Sequence, residues 1–325
     1  MATWTKQLVQ EHAQVAAAIE LYTVPFYTTV MTSIKDENSD AYKIIRGVLI
    51  EEMMHLQLAA NLCVVLDTTP NLGVPDYEKD VPSLLPGTVL NADMGPLNAD
   101  TLKVMLAIEK PEQTLGASDP TADPNIEPKY PYSSIGEMYD ALLAGIMQVG
   151  ENQFSWSTER QQTFWGEQGY PQIIRNYLEA KEAVAAIKAQ GEGGHTAEDM
   201  QPPFLPEQFK VDLKYQMINK PPASIAWSYQ DILYKEYSHF SRFLRIQDAP
   251  LPEVYQGTAA PDHPTNIRLR QIFNGTRQIL DDLNDYWTSP VPPVWMKFLG
   301  SMRELSMRTR ECWKAGVIPY WGKAA

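Results

Sequence analysis

Two apolar helical stripes in this chain are each broken by a glutamate and, three residues later, a histidine. The first runs Ile45, Val48, Glu52, His55, Ala59 and Leu62; the second runs Ile225, Tyr229, Ile232, Glu236, His239, Phe243 and Ile246. Residues three and four apart share one face of a helix, so each stripe marks a face turned to the core. A carboxylate on such a face is costly unless it is paired or ligated. A lone Glu-x-x-His on a helix is usually a solvated face. Here the chain has only five histidines, and both that interrupt a stripe follow a glutamate by three residues. Glu-x-x-His aims an oxygen and a nitrogen at one point. Two such pairs, with a glutamate from each of two further helices, build a dinuclear metal site inside a four-helix bundle.

The prolines delimit the helices. The 25 prolines crowd into stretches at about 67–97, 111–131, 202–222 and 249–264. Between them the periodicity predicts helices at about 4–33, 38–66, 101–110, 134–150, 172–190, 223–247, 265–287 and 293–314. No segment alternates with period two, so the predicted fold is all-α, a bundle with long proline-rich connections. The expected organisation is one domain over 1–325, with its core at about 4–66 and 134–247 and additional C-terminal helices at about 265–314.

The first helix carries the stripe Val9, Ala13, Ala16, Glu20 and Val24. In an antiparallel hairpin, facing residues are equidistant from the turn. Residue 36, midway between Glu20 and Glu52, falls in the polar stretch Lys35–Asp40, so Glu20 should stand level with Glu52 and His55. The remaining position stays open between two glutamates. The helix at 172–190 has the face Ile173, Tyr177, Ala180, Val184 and Ile187 with no glutamate on it, and Glu179 and Glu182 point away. Glu192 lies among glycines able to turn it inward, and Glu137 follows a milder Ala141/Ala144 face. Glu51 lies about 100° round the helix from Glu52 and is expected beside the site or paired with a base. Tyr22 and Tyr139 are candidate catalytic residues, with Tyr27 and Tyr237 also near ligands in sequence, against the plainer reading of all four as core tyrosines. Pro25 is expected to kink the first helix; His12, His195 and His263 are expected at the surface or in loops.

Charge and composition remove several function classes. A net charge of −13 and a pI near 4.9, with no basic cluster, argue against nucleic acid as a partner. Two cysteines build no disulfide framework, and the first residues lack the apolar region of a signal peptide. No uninterrupted apolar run reaches the roughly 18 residues of a membrane span. The expected location is cytoplasmic.

At these same residues the sequence resembles the ferritin-like domain of the iminophenyl-pyruvate dimer synthases, the violacein-type and chromopyrrolate-type enzymes of bis-indole biosynthesis. The resemblance is carried by Ala18–Pro25 with Tyr27, Glu51–Leu56 with Asn61 and Leu62, Ile108–Glu112, Ile135–Tyr139, Gln190–Gly193 and Glu236–Phe240 with Phe243. Those enzymes are much longer, and the likeness is to the ferritin-like domain alone. It implies a ferritin-like bundle with a non-haem centre, most simply a pair of iron ions per chain, with manganese as the other choice. It carries over Glu20, Glu52, His55, Glu236 and His239 as ligands, favours Glu192 for the open position, and sets Glu137 at or beside the metal. The implied activity is an O2-using oxidoreductase acting on a small aromatic or amino-acid-derived intermediate of secondary metabolism, as a homo-oligomer or with a partner enzyme of its pathway. The alternatives are a cyclase, isomerase or imine-coupling enzyme with little redox chemistry, and a metal-binding or storage protein.

Overall fold

In a computed structural model the chain is described over residues 3–70, 72–73, 94–110, 125–128, 132, 134–162, 173–191, 238–259, 275, 282, 285, 287–289 and 295–321. Seven α-helices and no strand occur among the described residues. They are α1 (Lys6–Ser33), α2 (Asp40–Val65), α3 (Ala99–Ile108), α4 (Ile135–Val149), α5 (Tyr177–Gly191), α6 (His239–Gln247) and α7 (Trp295–Lys314). The fold is an all-α bundle, the class the periodicity predicts. Of the predicted helix at 265–287, only isolated helical positions are described.

Helices α1 and α2 make the most extensive pair. Thr5 Oγ1 accepts the Leu8 N–H at 3.2 Å and Ser39 Oγ accepts from Tyr42, each satisfying an otherwise unpaired N–H at a helix start. Between them Asp36 Oδ1 accepts the Asn38 N–H at 2.9 Å and tightens the polar turn. Every residue of α1 from Ile19 to Ser33 is buried, and the helix runs on through Pro25. It is enclosed because α2, α4 and α7 all pack on it. By length and hydropathy α2 is apolar enough to cross a membrane, but 89% of its most apolar window is buried inside the molecule, as in a core helix.

The C-terminal helix is pinned onto the second half of α1. Trp313 Nε1 donates to Thr29 O at 2.9 Å, and Trp321 Nε1 donates to Thr29 Oγ1 at 2.8 Å. An extended strap at 253–258 joins the two ends of this contact. The Tyr255 N–H donates to Ser33 O at 2.7 Å, and Thr258 exchanges backbone hydrogen bonds with Gly316 and Ile318 at 3.1 Å. Gly257 makes this approach possible, since a Cβ there would lie 2.9 Å from Ile318 N. One expectation fails here. His12 is wholly buried, its Nδ1 donating to Leu8 O at 2.7 Å and its Nε2 accepting from the Tyr132 hydroxyl at 2.9 Å. It lies three residues after Val9 and so extends the core stripe, and it is buried with both nitrogens satisfied.

Candidate metal centre

Five side chains from four helices meet in the core. Helix α1 supplies Glu20, α2 supplies Glu52 and His55, the C-terminal end of α3 supplies Glu109, and the first residue of α6 supplies His239. Each is at most 4% exposed. His239 Nδ1 lies 2.8 Å from Glu52 Oε1 and 3.5 Å from Glu109 Oε2. His55 Nδ1 lies 3.7 Å from both Glu20 Oε2 and Glu52 Oε1, as the hairpin register requires. The two imidazoles stack at 5.3 Å between centroids, with Glu52 reaching both. Ligand atoms of Glu52, His55 and His239 fall within 4.8 Å of one another.

Outer partners orient each of these groups. Gln190 Oε1 accepts from His55 Nε2 at 2.8 Å, and Glu51 Oε2 accepts from His239 Nε2 at 2.8 Å. Both rings therefore donate from Nε2 and aim Nδ1 inward, the orientation a metal-ligating histidine needs. The carboxylates are held as well. The Thr23 hydroxyl donates to Glu52 Oε2 at 2.6 Å, Tyr139 to Glu20 Oε1 at 2.7 Å, and Tyr27 to Glu109 Oε1 at 2.5 Å. Arg242 Nη1 lies 2.9 Å from Glu51 Oε2 and neutralises that carboxylate.

One atom argues that the cluster fits a cation. His239 Nδ1 makes no hydrogen bond although Glu52 Oε1 is 2.8 Å away. Two ligand atoms each about 2.1 Å from one ion at right angles stand about 3 Å apart without a bond between them. The electrostatics agree. Burial, then the neighbouring Glu52 carboxylate, push Glu20 well above the usual carboxylate range and raise Glu109 too. Burial also disfavours charge on Glu52, but the His239 and His55 rings outweigh it and hold it low. Burial lowers His239, yet Glu109, Glu51 and Glu52 overcome this and hold it well above 6.5. Without a cation, the centre keeps protons to offset its own negative charge. A cavity of about 20 Å³ lies over it, lined by Glu20, Glu52, His55 and Glu109 with Tyr139, Ile187 and the partly exposed Lys188, room for about one water-sized occupant.

The structure thus brings together Glu20, Glu52, His55 and His239 from the sequence-derived set. Glu137 is not among them. It is half-buried in the first turn of α4, where its N–H donates to Ser134 Oγ at 3.1 Å, about 200° round the helix from the Tyr139 that faces the cavity. Tyr22 is buried but does not line the cavity, because it lies about 200° round α1 from Glu20. Glu192, Glu236 and Tyr237 lie outside the described residues. The predicted unbroken helix through 223–247 does not hold at Ser238, whose ψ is 161° and whose hydroxyl caps α6 by accepting from Ser241. Glu109 is the acid that the sequence-derived ligand set lacks. Its signal was present, since Leu102, Met105 and Glu109 form one stripe that runs from a ten-residue helix into its C-cap. Glu51 pairs with a base, Arg242, as its place on the helix suggested.

Among solved structures, the chain is similar to a ferritin-like protein from Caulobacter vibrioides, at 24% identity and a TM-score of 0.71, covering 99% of this chain and 100% of that one. A search of the curated proteins returned no match. The Ferritin-like family pattern matches residues 13–248, a span that contains all five clustered side chains and well over half of the sequence. The chain belongs to the Ferritin-like family.

Proposed function

We propose that this protein is a metal-dependent oxidoreductase that holds two iron ions in the Glu20–Glu52–His55–Glu109–His239 cluster and uses O2 to oxidise a small aromatic or amino-acid-derived molecule. One observation carries the reading: two buried imidazoles aim their Nδ1 atoms at a shared carboxylate, Glu52, with a further glutamate beside each. Bound there, the iron pair supplies redox chemistry with O2. The protein's own residues hold and orient. Glu20, Glu52, His55, Glu109 and His239 would hold the iron, Tyr139 and Tyr27 fix the outer carboxylates through their hydroxyls, and the burial of these groups limits bulk water at the centre. The substrate class rests on the resemblance to the dimer-synthase ferritin-like domains. Elemental analysis before and after anaerobic Fe(II) loading tests the proposal. It expects about two iron ions per chain and O2 uptake that depends on them. Protein that takes up no iron under these conditions overturns it.

A further inference from the structure

The two histidines of the centre are oriented by unlike partners. His239 Nε2 donates to the Glu51 carboxylate at 2.8 Å, and Glu51 is gripped by Arg242 at 2.9 Å, all three buried. His55 Nε2 donates instead to the neutral amide oxygen of Gln190, also at 2.8 Å. A carboxylate draws on the ring proton more strongly than an amide does, which makes the opposite nitrogen the better metal donor. Arg242 balances the Glu51 charge, so this gain in donor strength adds no net charge to the centre.

Access differs in the same direction. Glu20, Glu52, His55 and Glu109 line the cavity that reaches the partly exposed Lys188, whereas His239 is wholly buried and does not line it. Among the described residues, the weaker donor lines the cavity and the stronger one does not. We propose that the metal position at His239 is tight and retained, while the position at His55 is weaker, exchangeable, and the one that meets small exogenous ligands through the cavity. This rests on the dinuclear reading above. Glu51 and Gln190 are then positioning residues that set the inequality through the rings they hold.

Titration of the metal-free full chain with Co(II) against a competing chelator, followed by its visible bands, tests this. Two binding steps separated by roughly tenfold or more are expected, and added azide is expected to perturb only the bands of the weaker ion. Gln190→Glu should tighten the weaker step and narrow the gap, and Gln190→Leu should widen it. Glu51→Gln should loosen the tighter step by about 10–100-fold. That change strips Arg242 of its buried counter-charge and endangers the fold, so the Gln190 variants carry the test independently. Two equal steps, azide acting on the tighter ion, or Gln190 variants that move the tighter step would each overturn the inequality. No Co(II) binding at all overturns the dinuclear reading itself.

Discussion

At the scale of single residues, burial decides what each group does. Glu20 and Glu109 are acids the core tolerates because tyrosine hydroxyls and protons stand in for positive charge. Replacing either histidine by alanine deletes the ligand with its buried ring but leaves the helix backbone that carries it. His55→Ala and His239→Ala are each expected to lose at least half of the bound iron, read by elemental analysis, with far-UV circular dichroism nearly unchanged. Tyr139→Phe keeps the ring but deletes the 2.7 Å hydrogen bond to Glu20. It should cost the metal-free protein about 1 kcal/mol, read from urea unfolding midpoints at constant slope. The pairing of Glu with His three residues on was legible in the linear sequence because the helical period alone brings i and i+3 together. The place of Glu137 and Tyr22 was not. Proximity in sequence to a ligand says nothing of angle, and two residues along a helix turn the side chain to the far side.

At the scale of elements, α1, α2, α4 and α7 lie within a few residues of their predicted spans, since proline stretches and capping residues mark their ends. The α1–α2 register also followed from the position of the polar turn. The break before α6 did not, because Ser238 interrupts an apolar stripe that itself continues into Phe243 and Ile246. The strap at 253–258 was read only as a proline-rich connection. Its pairing with residues 316–318, just after α7, hangs on the missing side chain of Gly257, where the nearest atoms to a new Cβ are backbone and cannot swing aside. Gly257→Ala is expected to destabilise the fold by about 1–3 kcal/mol, and to leave iron content unchanged because the strap is remote from the cluster. Chemical denaturation with metal analysis on the same sample checks both.

At the scale of the whole molecule, protons and metal compete for one centre. Glu20, Glu109 and His239 are all raised when folded, so the stability they confer is present at low pH. It is lost as pH rises, from above 4.5 for the two acids and from above 6.5 for His239. Glu51 and Glu52 are lowered and act oppositely, losing their contribution only as pH falls below 4.5. Burial lowers His55 as well, so its opposing contribution is complete once pH exceeds 6.5. From about pH 6.5 to 8 the metal-free protein should therefore lose stability. Metal binding needs the deprotonated ligands, so the rise in Tm on adding metal should grow over that same range. Thermal unfolding with and without Fe(II) under anaerobic conditions measures this; a metal-induced shift that shrinks with pH would contradict the assigned ligands.

The sequence by itself determined the all-α class, the α1–α2 register, and the Glu20, Glu52 and His55 grouping, because each depends on helical period and turn position, which are local. Only the tertiary structure decided the rest. Glu109 joins the centre because α3 packs against α6, and Glu51 engages Arg242 because α6 packs against α2. Those partners are separated by more than a hundred residues, and no periodic pattern specifies which distant face will cover a buried charge.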